Sequence, residues 1–241
     1  MVTLKMAIIF LMEQIRTPFS LIWTIMSPTV LFFFLHFNEI ELHYGDTAWL
    51  GKQISWFVGY ISFSVVLFNY CLYLVGRRES GFIATFVHNM DGRLLFIRSQ
   101  LIASLIMSIL YVFFFILVVL TGFQASPDYQ IIMIILKSIY INAFMMVSLT
   151  FMASFRVTFQ TASTIYSVLI TVCMVSGIVS LKYNEGIVYW INQVNPIAIN
   201  STILQSDQEL SLMTIFFYSI MLIISIISAL TFKTEPVWSS Q

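Results

Sequence analysis

Six long stretches of this chain are almost free of charge, and they dictate what it can fold into. Residues 17–38, 53–76, 99–127, 157–181 and 210–232 hold no Asp, Glu, Lys or Arg, and residues 129–155 hold only Lys137. A helix needs about 20 predominantly apolar residues to cross the hydrocarbon core of a bilayer. The six stretches predict spans at 19–37, 54–75, 99–122, 130–153, 161–181 and 212–232. Barrel strands would show about ten-residue alternation instead of unbroken apolar runs. The expected class is an all-α polytopic membrane protein, one transmembrane domain over 1–241. Composition agrees: charged residues make up 9% of the chain, against roughly 25% in soluble domains. The +0 net charge supplies no basic footprint for nucleic acid.

A seventh charge-free window, 186–206, is not read as a span. Only 11 of its 21 residues are apolar, against 17 of 23 in 210–232. Its amides and hydroxyls would need partners inside lipid, so it is expected at the interface or dipping in shallowly.

The few charges orient the spans. With both ends in the cytoplasm, Lys5, Arg16, Arg77, Arg78, Arg93, Arg98, Arg156 and Lys233 fall inside, while Lys52 and Lys182 fall outside. Eight against two is a positive-inside pattern. The outer loops hold Glu39, Glu41, Asp46, Asp128, Glu185, Asp207 and Glu209. No cleavable signal peptide is expected, because the run Met6–Met12 is short and interrupted by Glu13. Cys71 and Cys173 fall mid-span and are expected as buried thiols.

Three groups of residues stand out. In Val2–Arg16 the side chains of Leu4, Ile8, Leu11, Met12 and Ile15 form an apolar stripe, with Lys5, Glu13 and Arg16 to one side. Such a helix can lie in the headgroup plane with its charges toward water, or extend the first span. Pro18 favours a break at residue 17. The second group is the loop 77–98, RRESGFIATFVHNMDGRLLFIR. A short helix over Phe82–His88 would place Phe82, Ile83, Phe86 and Val87 on one face, followed by a turn at Asn89–Gly92. That face either packs on the membrane surface or docks into a groove on a cytoplasmic partner. A loop that serves only to hold basic residues inside is the third reading. The last group is polar side chains within spans: Lys137, Asn69 and Tyr70, and Thr164, Ser167 and Thr171 on one face of the fifth span. An intramembrane charge is read first as functional, but Lys137 can also snorkel toward Asp128 or the headgroups. Hydroxyls in membrane helices either pack helices together or line a path.

No phosphate-binding loop, catalytic Ser–His pair or metal-ligand spacing is present. Val58-Gly59-Tyr60 echoes part of a potassium filter without its flanks, and the sequon Asn200-Ser201-Thr202 is a three-residue match of the kind that arises by chance. The chain is not expected to be an enzyme.

The order of surface helix, break at Arg16-Thr17-Pro18, six spans with a basic loop after the second, and a polar outer segment with Asn195-Pro196 resembles the membrane subunit of type-2 ABC exporters. The resemblance implies that the loop after span two is a coupling helix docking on a separate cytoplasmic ATPase, with Arg78, Glu79, Gly81, Phe82, Ile83 and Phe86 as the coupling residues. The Pro that often follows this helix in the family is replaced by Asn89–Gly92. It further implies a re-entrant pair of short helices around Asn195-Pro196, and a dimer with a second copy or a paralogue. Spans two and five would line the route, with Asn69, Tyr70, Thr164, Ser167 and Thr171 as its wall. ATP and Mg would bind the partner subunit and no cofactor this chain. The setting would be a bacterial plasma (inner) membrane. Scarce Ala and Gly beside abundant Ile and Phe fit an AT-rich, Gram-positive genome. A Met- and Phe-rich interior favours a hydrophobic or amphipathic cargo, such as a bacteriocin-like peptide or a lipophilic drug. The competing readings are an ATP-independent six-span channel or secondary transporter, and a membrane scaffold or immunity protein.

Overall fold

The computed structural model describes residues 2–16, 18–83, 90–182, 185–205 and 212–230, with the backbone alone at 18–23, 180–182, 212–214 and 217. Every regular element among the described residues is helical. In chain order these are α1 (Val2–Ile15), α2 (Pro18–Leu35), a short 3₁₀ turn (Phe37–Glu39), α3 (Thr47–Ser64), a π turn (Val65–Cys71) and α4 (Leu72–Glu79). Then follow α5 (Met90–Gly122), α6 (Tyr129–Ser154), α7 (Phe159–Lys182), α8 (Gly186–Val194), α9 (Pro196–Gln205) and α10 (Leu212–Leu230).

Four helices are long and apolar enough to cross a membrane: Thr47–Glu79, Met90–Gly122, Tyr129–Ser154 and Phe159–Val179. The shorter apolar helices Thr24–Leu35 and Tyr218–Leu230 occupy the first and last predicted windows. Two of the four have 33 residues, about 50 Å of helix at 1.5 Å per residue, well beyond a hydrocarbon core of about 30 Å. Polar residues extend both helices at the same end of the molecule, Arg77 to Glu79 on α4 and Asp91 to Arg98 on α5, and Lys52 with Gln53 marks the opposite end of the first.

The predicted turn at Asn89–Gly92 is corrected here: α5 begins at Met90, with Asp91 in its first turn, where a carboxylate complements the helix dipole. Asn89 and most of the predicted helix Phe82–His88 lie outside the described residues. The window 186–206 forms the two short helices α8 and α9, parted at Asn195. Pro196 opens α9, where its missing N–H costs nothing, and the Asn195 side chain accepts the Ile197 N–H at 3.0 Å.

Helix α3 is the central element. Ser55, Trp56, Phe57, Val58 and Gly59 are all buried in succession, as expected of a helix enclosed on every side. Phe32 of α2 gathers Phe57 of α3 and Phe115 of α5 at ring-centroid distances of 5.0 and 5.7 Å. Helix α9 lies so close to α3 that a Cβ on Gly59 would sit 2.8 Å from the Ile197 carbonyl oxygen; only glycine fits. The charges sort by end. Contacts join Thr3, Glu13, Arg77, Arg78, Val157 and Ser99 at a basic end. At the opposite, acidic end the Gly45 N–H meets the Phe123 carbonyl and Thr47 donates to Asp128.

Candidate functional site

A cavity of about 730 Å³ lies between α2, the α3–π–α4 helix and α7, with Gln14 of α1 at its basic end. Its walls carry Thr24 and Ser27 from α2, Tyr60, Ser64 and Asn69 from the long helix, and Ser167 and Thr171 from α7, among apolar residues such as Leu31, Phe68 and Met174. No charged side chain is among these described lining residues. Toward the acidic end Trp56 closes on α7: a Cβ on Gly177 would lie 3.1 Å from the Trp56 indole nitrogen. There Asn195 donates to the Cys173 carbonyl at 2.8 Å and to the Ser176 hydroxyl at 3.0 Å, fixing the α8–α9 corner on α7.

Of the five residues expected along a path, the cavity brings together Asn69, Ser167 and Thr171. Ser167 and Thr171 return their hydroxyl hydrogens to carbonyls one turn back, at 2.8 Å each. Such self-satisfied hydroxyls keep lone pairs for a ligand. Thr164 is exposed on the same helix but outside the cavity wall. Tyr70 points the other way, fully buried, its hydroxyl 3.0 Å from Thr150 of α6. Lys137 is half-buried on α6 and does not line the cavity.

The π turn explains why Asn69 sits where it does. A π turn holds an extra residue and interrupts the α-helical ladder. The Asn69 carbonyl accepts bonds from α5: Gln100 Nε2 at 2.8 Å and Ser104 Oγ at 3.0 Å. The Asn69 side chain donates to the Tyr111 hydroxyl at 3.2 Å, and Gln14 Nε2 of α1 reaches Ser104 Oγ at 3.4 Å. Gln14, Gln100, Ser104 and Tyr111 were not among the residues singled out from sequence. The stripe Gln100, Ser104, Ser108, Tyr111 at helical spacing along one span was the available signal.

The turn after α4 is built by Gly81. Its φ of +73° suits a helix C-cap, and the Ser80 and Gly81 N–H groups return to the Gly76 and Arg78 carbonyls at 3.0 Å each. The two arginines before it diverge. Arg78, 1% exposed, turns inward and donates to the Ala153 and Val157 carbonyls at 3.0 Å each, holding the α6–α7 connection. Arg77 bonds Glu13 of α1, and both meet the Tyr73 hydroxyl. The Arg77 guanidinium also lies 4.8 Å from the Phe82 ring centroid, a cation–π contact. Glu79 is half-buried. Phe82 and Ile83 turn inward rather than outward, Ile83 fully buried and Phe82 beside Phe96 at 6.4 Å. Phe86 lies outside the described residues.

At the acidic end, His36 pairs with Glu39 at 2.6 Å and His43 with Asp46 at 3.2 Å, both rings contacting Trp49. The Trp49 backbone N–H, with help from His43, holds the Asp46 carboxyl below its usual range. Among the described residues no group of three or more His, Cys, Asp or Glu could hold a metal ion.

No protein-family profile matches the chain. It is 99% identical over 241 residues to Protein McbE of Escherichia coli, covering 100% of both sequences. A Gram-negative relative stands against the Gram-positive expectation drawn from composition. At that identity and coverage, a helical protein with several membrane-length apolar helices has its family: the chain belongs to the family of McbE.

Proposed function

We propose that the chain is the membrane-spanning subunit of an ATP-driven exporter in the bacterial inner membrane. It has six spans with both ends in the cytoplasm, and it works as a pair with a second copy or a related permease. A separate cytoplasmic ATPase binds ATP and Mg and performs the hydrolysis, and this chain does no bond chemistry. The observation that carries the reading is the cavity. It is walled by α2, the α3–π–α4 helix and α7, and it reaches the basic end, where α4 finishes in the Gly81 turn. ATP-driven closure of the ATPases would move that turn. Arg78 would pass the motion to the α6–α7 connection, and with it to the cavity wall bearing Ser167 and Thr171.

Uncharged walls that mix aromatic rings with hydroxyls suit an amphipathic cargo with hydrogen-bonding groups, and a peptide supplies both.

Gentle solubilisation of a tagged chain should recover an ATPase subunit with it. Ser167→Trp combined with Thr171→Trp should leave that complex assembled while stopping export of an amphipathic test peptide from cells that carry the chain. Export that survives both bulky substitutions, or a chain that purifies with no ATPase, would sink the reading.

A further inference from the structure

Helix α1 shows two unlike faces. Ala7, Phe10 and Gln14 are buried against the rest of the chain, while Leu4, Ile8, Ile9, Met12 and Ile15 are exposed, Ile9 at 64%. Lys5 and Arg16 are exposed among those aliphatic side chains, and not on an opposite, watered face. They are three turns apart, about 16 Å along the axis. The one acid of the helix, Glu13, is drawn to the protein side by Arg77 and Tyr73. The outward face is therefore cationic and aliphatic at once.

We propose that this face of α1 binds anionic phospholipid headgroups and that their charge controls the turn at Gly81–Phe82. The aliphatic side chains reach the acyl boundary, and the stems of Lys5 and Arg16 carry their charges up to the phosphates. Neutral headgroups satisfy the first contact but not the second. The link to the turn is short. Phe10 packs against Tyr73 and Phe96 at ring-centroid distances of 5.7 and 5.4 Å. Glu13 holds Arg77, which lies over Phe82. Firmer seating of α1 on the membrane thereby steadies the segment that faces the ATPase in the proposed exporter. Control of the ATPase rests on that reading; lipid binding and its effect on the turn do not.

Hydrogen exchange of the full chain in nanodiscs tests this without any ATPase. Phosphatidylglycerol mixed into phosphatidylcholine should slow exchange in both 2–16 and 77–83, relative to phosphatidylcholine alone, by about fivefold per engaged cation. Lys5→Gln with Arg16→Gln should erase the difference between the two lipids. Arg77→Met, or Glu13→Gln as a milder variant, should keep the lipid effect on 2–16 and lose it on 77–83. Equal exchange in the two lipids, or a lipid effect that outlives the double variant, overturns the binding. Lipid-dependent exchange at 77–83 in the Arg77 and Glu13 variants overturns the link. Slowing of 2–16 only when the co-purified ATPase is added, in either lipid, assigns the face to that protein instead. Lipid-dependent exchange without lipid-dependent ATP hydrolysis would overturn control of the ATPase and leave the lipid binding and its link to the turn standing.

Discussion

Adjacent arginines with opposite directions are the most informative residues of this chain. In sequence Arg77 and Arg78 are one basic pair at the end of a span, and nothing in the string separates their tasks. On a helix, neighbouring positions point about 100° apart, so one can face α1 and the other the α6–α7 connection. Arg78 satisfies two carbonyls near a helix end, where backbone acceptors have no partner of their own. Arg78→Ala should destabilise the protein by about 3 kcal/mol, because hydrogen bonds from a charged donor are worth about 1.5–3 kcal/mol each. Arg78→Lys should recover part of this, since one ammonium cannot reproduce the two-pronged geometry. Thermal unfolding in detergent measures both, and an unshifted midpoint for Arg78→Ala would refute the clamp.

At the scale of elements, the four membrane-length helices were legible because lipid leaves so few options: an unbroken apolar run of sufficient length must be a helix. The demotion of 186–206 was legible from its amides, and Asn195-Pro196 marks the corner between α8 and α9. The start of α5 was not, since Asp91-Gly92 carries the composition of a turn and only the helix-dipole position of Asp91 favours the outcome. The π turn had no marker either. Val65–Cys71 reads as ordinary apolar helix, and the groups that take up the Asn69 carbonyl, Gln100 and Ser104, lie 31 and 35 positions away. Deleting Leu67 should restore a regular ladder and rotate α4 by about 100° relative to α3. That parts Arg77 from Glu13 and Arg78 from Val157. The shortened chain should still insert, as shown by fluorescence-detected size exclusion of a tagged fusion, and should fail to export. Normal export would show that the extra residue has no mechanical consequence.

For the whole molecule, α7 is the least buried of the four membrane-length helices, and Thr164, Val168, Val172 and Val175 are exposed along it. A hydroxyl-bearing face at that depth suits another helix better than acyl chains, which is where the proposed second copy would sit. Cys71 and Cys173 are buried, so Thr164→Cys supplies the accessible thiol. A short bifunctional maleimide should join two copies through it in native membranes. A product that stays monomeric would refute pairing through this face. The size of the cavity has a consequence for what the proposed exporter would pass. About 730 Å³ lies within the range of pockets for drug-sized molecules, roughly 300–1,000 Å³. A small cargo can be swallowed whole and released in one stroke. A longer one must travel as a thread, with its leading end already delivered while its tail is still on the side it came from. In the proposed exporter such a thread would be inspected a few residues at a time by Asn69, Ser167 and Thr171, so acceptance would depend on local texture repeated along its length, and a single unsuitable stretch would stall everything behind it.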